Sequence, residues 1–263
     1  MQQKTLKLFF KSEKTFQNLY HKIRRNQHYT TALWGINARS CTRPSHSEMD
    51  VPEGWSCFKS PGTALLVGAT GQGKSYLMVQ IIKHRDILFD KQIHSIFWHY
   101  SEQSAIPHEL VAEGVHFKEG PPCLDDYAPA EEVKLLVIDD MLRQINADIV
   151  DFYLKGSSHR NIHVFLLCQN LYNKKIREIS LNSHVVILFN NRRDLSQIRH
   201  FCMQVDPARW RAIYAAYRDA TERPGHHYFL CDFHVKTPTH LRFRTDILPS
   251  DKNVVYVLKK SIK

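Results

Sequence analysis

Eight residues, Gly68-Ala69-Thr70-Gly71-Gln72-Gly73-Lys74-Ser75, stand directly behind the apolar run Leu65-Leu66-Val67. Glycines at 68, 71 and 73 let the backbone turn tightly, so that its N–H groups can surround a phosphate at a helix N-terminus. At this spacing Lys74 reaches the β- and γ-phosphates, and the Ser75 hydroxyl ligates Mg²⁺. Tyr76 to Leu88 continues with helical spacing. The segment predicts a nucleoside triphosphate site.

A second stretch, "KLLVIDDM" at 134–141, ends four apolar residues on Asp139-Asp140, sixty-five residues after Lys74. Two carboxylates at the end of a buried strand suit a phosphate site beside it. Asp139 is expected on the Mg²⁺ side, held through water, and Asp140 as the general base that polarises the attacking water. That pairing points to hydrolysis rather than transfer to a small molecule. The next apolar run, "NIHVFLLCQN", ends at Gln169, whose amide can sense a γ-phosphate or orient water. Just before it, "KGSSHRN" places Arg160 on a short loop, a candidate arginine finger.

These residues need a scaffold. "ALLVGA", "HSIFWHY", "VKLLVID", "IHVFLLCQ" and "HVVILFN" are near-continuous apolar strands separated by helical or loop segments. Such runs are typical of a parallel sheet covered on both faces. "DLSQIRHFCMQV" and "ARWRAIYAAYRDA" read as helices, the second opening behind Asp206-Pro207; "HHYFLCDF" and "HLRFRTDILP" read as edge strands. Residues 37–60, with Pro44, Pro52 and Gly54, read as a linker.

The net charge of +10 is uneven: residues 1–47 hold nine Lys or Arg against Glu13 alone, a net +8, and the remainder contributes +2. A basic segment before a nearly neutral domain suggests contact with nucleic acid or another polyanion, or a targeting role. No apolar run approaches the roughly eighteen residues of a membrane span. Six scattered cysteines without C-x-x-C spacing suit buried thiols of a reducing compartment. His227, Cys231 and His234 could suggest zinc, but a core thiol with surface histidines is the simpler reading. Trp210, Tyr214 and Tyr217, at helical spacing, suit core packing.

"LLVGATGQGKS", "LLVIDDM", "KGSSHRNIHVFLLCQNLY", "SLNSHVVILFNNRRDLSQI" and "LRFRTDILP" together resemble the viral genome-packaging ATPases of the FtsK/HerA superfamily. The likeness is to those of Polinton/Maverick and adintovirus-like elements, with poxvirus-type ATPases as distant relatives. It spans about residues 55–250, and its distinctive part is Lys155 to Gln197. The resemblance implies an α/β, RecA-like P-loop domain with a central parallel sheet in 5-1-4-3-2 order flanked by helices, behind a basic N-terminal extension. It divides the chain into an extension and linker (1–55), the ATPase domain (56–250) and a C-terminal tail (251–263).

It also implies ATP held by residues 68–75, Mg²⁺ at Ser75 and Asp139, and catalysis by Lys74, Asp139, Asp140, Gln169 and Arg160. Arg192 and Arg193 are rival fingers. The second acid is Asp where many relatives carry Glu, longer by one methylene. The implied partners are double-stranded DNA, a capsid or capsid-vertex protein and further copies of the chain in a ring, with no membrane. The implied setting is intracellular, in a host nucleus or at a viral assembly site. Two alternatives stay open: an ATPase for replication or transposition of a mobile element, and a slow ATP-gated capsid-assembly factor.

Overall fold

The computed structural model describes residues 45–47, 56–101, 106–172, 176–223, 225–251 and 253–258. The basic extension expected over residues 1–55 lies, apart from Ser45–Ser47, outside the described residues.

Ten strands form one sheet among the described residues: β1 (Ser45–Ser47), β2 (Gly62–Val67), β3 (Ile93–Tyr100), β4 (Val115–Glu119), β5 (Val133–Asp139), β6 (Ile162–Cys168), β7 (Val185–Phe189), β8 (Tyr228–Asp232), β9 (Phe243–Thr245) and β10 (Val254–Val257). Their order is β1-β10-β9-β8-β7-β2-β6-β5-β3-β4. All pairs from β7 through β2, β6, β5 and β3 to β4 are parallel. Within them, β7-β2-β6-β5-β3 has the 5-1-4-3-2 order expected. From β7 outward the pairing turns antiparallel through β8, β9 and β10 to β1.

The central parallel strands β2, β5, β6 and β7 are apolar almost throughout because both faces are covered. Leu65, Leu136, Ile138, Leu166 and Leu188 pack on one side with residues of α3 (Ala147–Asp151), α5 (Leu195–Val205) and α6 (Trp210–Thr221). Leu66, Leu135, Val137, Leu167 and Ile187 face the other way, against Leu77, Met78, Ile81 and Ile82 of α1 (Lys74–Lys83). Two short helices complete the set: α2 (Arg85–Leu88) and α4 (Ile176–Leu181). Behind α3 the helix loosens into a π turn, Phe152–Gly156, and closes with Ser157–His159. The Tyr153 hydroxyl there donates to the Ala64 carbonyl at 2.6 Å, tying the turn to β2.

Three expectations change. Residues 251–263 are not simply a tail, because Val254–Val257 adds β10 to the antiparallel wing. Part of the expected linker pairs in turn with β10, Ser45 opposite Val257, which meets backbone groups a free edge would leave open. "HHYFLCDF" and "HLRFRTDILP" supply interior strands rather than edges, β8 between β7 and β9, and β9 between β8 and β10. β4 and the π turn had no strong pattern in the sequence.

A charged pair is buried in the antiparallel wing. Arg244 on β9 donates to Asp232 on β8 at 2.7 Å, with both side chains almost wholly buried. Asp232→Ala breaks this buried ion pair by removing its carboxylate and is expected to destabilise the fold by about 3–5 kcal/mol in urea unfolding. Combining Asp232→Leu with Arg244→Met should recover most of that loss. A loss near zero for Asp232→Ala would show that this pair does not hold the wing.

Candidate active site

The loop after β2 is shaped by two glycines with no room to be anything else. A Cβ on Gly68 would lie 2.7 Å from the Phe189 Cβ, and one on Gly73 would lie 2.8 Å from the His226 Cβ. Gly73 also sits at φ 97°, in left-handed backbone, where it caps α1. No side chain caps that N-terminus and its first turn holds no acid, so its amides remain free for an anion. The Lys74 ammonium donates to the carbonyls of Gly68 (2.7 Å) and Ala69 (3.3 Å), curled under the loop it is expected to serve. Burial pulls its pKa below the ordinary lysine value, partly opposed by Asp140 and Asp139.

Asp139 and Asp140 end β5 beside this loop but occupy different environments. Asp139 is 5% exposed and accepts from the Ser75 hydroxyl at 3.3 Å. Burial pushes its carboxyl up to about 6, against the lowering effect of that hydrogen bond. An all-oxygen pair of one carboxylate and one hydroxyl fits Mg²⁺, which takes one or two protein ligands and completes its shell with phosphate and water. Asp140 is exposed and takes left-handed backbone at φ 51°. The Gln169 amide donates to both its carboxylate oxygens, at 3.2 and 3.0 Å. The loop, the acidic pair and Gln169 thus meet around one cleft of about 950 Å³.

That cleft contains residues the sequence reading passed over. Tyr76 follows Ser75 on the first turn of α1, and Arg143 and Gln144 come from a short helical turn just past the acids. His226 enters from the segment before β8, 151 residues past Ser75 in sequence. Proximity to the motifs could have flagged the first three. Nothing local marks His226.

The proposed fingers lie elsewhere. Arg160 precedes β6 and so sits at the amino end of a strand whose carboxyl end carries Gln169. Seven residues at ~3.3 Å each put it roughly 20 Å from its own phosphate loop. Arg192 and Arg193 are exposed beyond the carboxyl end of β7, the end that carries the loop. Their segment is held in place: the Asn191 side chain accepts from the amides of Arg193 and Asp194, and Asp194 caps α5. Gln197 then links that cap to the loop after Gln169, accepting from the Leu171 amide at 3.2 Å.

Cys231 is buried in the core, its thiol pushed well above the ordinary value by burial. Tyr217 is buried too, and its hydroxyl donates to Phe189 at the end of β7. Trp210 and Tyr214, half-buried, pack against that core from its margin, and the guanidinium groups of Arg199 and Arg211 lie 4.9 and 4.6 Å from the Trp210 ring.

No family model and no curated protein matches the chain. Among solved structures it is similar to the genome packaging NTPase B204 of Sulfolobus turreted icosahedral virus 2, in complex with sulfate. Identity is 15% over 70% of this chain and 96% of that one, with a TM-score of 0.44. It is also similar to the cytoplasmic domain of the Type VII secretion ATPase EccC of Thermomonospora curvata. There identity is 14% over 74% of this chain and 25% of that chain, with a TM-score of 0.46.

The raised pKa of Asp139 has a consequence for stability. The folded chain holds this proton up to about pH 6, whereas an unfolded Asp releases it near 3.9. The buried charge therefore costs nothing well below pH 4, costs more as pH rises through 6, and costs its full amount above that. Asp139→Asn is expected to stabilise the nucleotide-free protein by on the order of 1–3 kcal/mol at pH 8, while removing hydrolysis. The gain should shrink as pH falls toward 5 in denaturant titrations. A gain equal at every pH would trace to something other than the buried charge.

Proposed function

We propose that the chain is an ATP-hydrolysing motor that drives double-stranded DNA into a preformed capsid, working in a ring of identical subunits. The observation that carries the hydrolysis is the pair of contacts Ser75–Asp139 and Gln169–Asp140, set beside a free helix N-terminus. The amides of residues 68–75 bind the phosphates, and Lys74 swings from the carbonyls of Gly68 and Ala69 to the β- and γ-oxygens. Asp139 and Ser75 would hold Mg²⁺, which would supply positive charge against the phosphate oxygens. Asp140 takes the proton of the attacking water, and Gln169 keeps its carboxylate aimed into the cleft.

The DNA and capsid partners are supported by the sequence run from Lys155 to Gln197 and its resemblance to packaging ATPases, together with the +8 carried by residues 1–47. Contact with DNA would run through phosphates, with little sequence preference. Arg160 lies far from its own site, so any role it has as a finger would be in a neighbour's site, across a ring interface.

Long double-stranded DNA should therefore raise the ATPase rate severalfold; a rate unmoved by DNA would favour the slow assembly factor. Arg160→Ala should keep ATP binding but lose about a thousandfold or more in hydrolysis. Mixing it with Lys74→Ala should restore part of the rate, since some interfaces then join an intact loop to an intact finger. The same mixtures with Arg192→Ala and Arg193→Ala test the rivals. If no mixture is rescued at ring-forming concentrations, catalysis is completed within one subunit.

A further inference from the structure

Tyr76 and His226 stand at the side of the cleft that the hydrolytic groups leave free. In the triphosphate site proposed above, Lys74, Asp140 and Gln169 gather the γ end over β5 and β6, to one side of β2. The loop amides hold the α- and β-phosphates. The nucleoside hangs from the α-phosphate, so it leaves the loop toward the other side of β2, where β7 and β8 lie.

Two rings meet that path. Tyr76, one residue past Ser75, is 58% exposed, so its ring is not spent on the core. His226 packs directly on the loop at Gly73, and its ring centroid lies 6.5 Å from that of Tyr76, tilted by 41°. Both line the same cleft as Lys74 and Asp140. An exposed aromatic ring beside a phosphate loop offers a flat apolar face to a nucleobase, and stacking of that kind tolerates any base because each has a π-face.

We infer that Tyr76 and His226 form the nucleoside wall of the site, with the base stacked on the Tyr76 ring and His226 bracing it. This rests on the reading of residues 68–75 as a triphosphate site, and the two can be separated. The probes are Mg²⁺-ATP and Mg²⁺-tripolyphosphate, which carries three phosphates and no nucleoside, titrated calorimetrically into the full chain.

Tyr76→Ala should weaken ATP binding by about fivefold to a hundredfold and leave tripolyphosphate binding as it was, closing the gap between the two ligands. Tyr76→Phe should retain the wild-type gap, since it keeps the ring. His226→Ala should narrow it to a smaller extent. An equal loss for both ligands, or none for ATP, would overturn the wall. A wild-type chain that binds neither ligand would overturn the triphosphate site itself.

Discussion

The register of three parallel strands is the constraint on which the site depends. Val67 lies opposite Cys168, and Leu167 opposite Asp139, so β2, β6 and β5 end at one level. Two last backbone links, Gly68 to Cys168 at 3.1 Å and Asp140 to Leu167 at 3.2 Å, close that row. Gly68, Gln169 and Asp140 are neighbours for this reason. Side chains alternate along β5, so Asp139 shares the face of Leu135 and Val137, the face covered by α1. That is the helix that brings Ser75. A slip of one residue would turn Ile138 toward Ser75 and send the carboxylate into the opposite core. The apolar packing on both faces thus fixes which acid meets the hydroxyl.

Alternation also explains how adjacent carboxylates come to differ. Asp139 finishes the strand and is buried with it, and burial raises its pKa to about 6. Asp140 leaves the strand in left-handed backbone and emerges into the cleft. Asp is among the few residues that take this conformation at modest cost. A longer Glu would reach further into the cleft, so the short side chain is matched by the Gln169 amide, which grips both oxygens. The buried acid is costly to the apo fold and useful only when cationic charge sits beside it.

The parts legible in the sequence were those where local pattern and tertiary role coincide. Five apolar runs became the five central parallel strands, and the polar residues at their ends, Gly68, Asp139 and Gln169, became neighbours. β4 was obscure because an edge strand, Val115 to Glu119, carries only a partial apolar pattern. β10 and β1 are short and lie outside the resemblance, so pairing rather than propensity creates them. The distance of Arg160 from its own site follows from strand direction: a residue just before a parallel strand starts at the amino end of the sheet. The meeting of Tyr76 with His226 was invisible for a different reason, since it is tertiary.

The antiparallel wing accounts for that meeting. A parallel strand must begin at the edge far from the phosphate loop, whereas β8, running opposite to β7, begins at the near edge, with Tyr228 opposite Phe189. The segment before it is therefore delivered to the loop. It is also anchored: Asp246 pairs with Arg223 at 2.8 Å and with His227 at 3.2 Å, gripping the chain on both sides of His226. Asp246 is itself positioned by its place just past β9, where the Thr245 hydroxyl donates to the Tyr228 carbonyl of β8 at 2.5 Å. Without β8 and β9, the parallel strands would still align the hydrolytic groups, but no segment would be held against Gly73. The same sheet thus divides its labour by strand direction, with parallel pairing setting the row of hydrolytic groups and antiparallel pairing closing the side where a nucleoside would leave the loop.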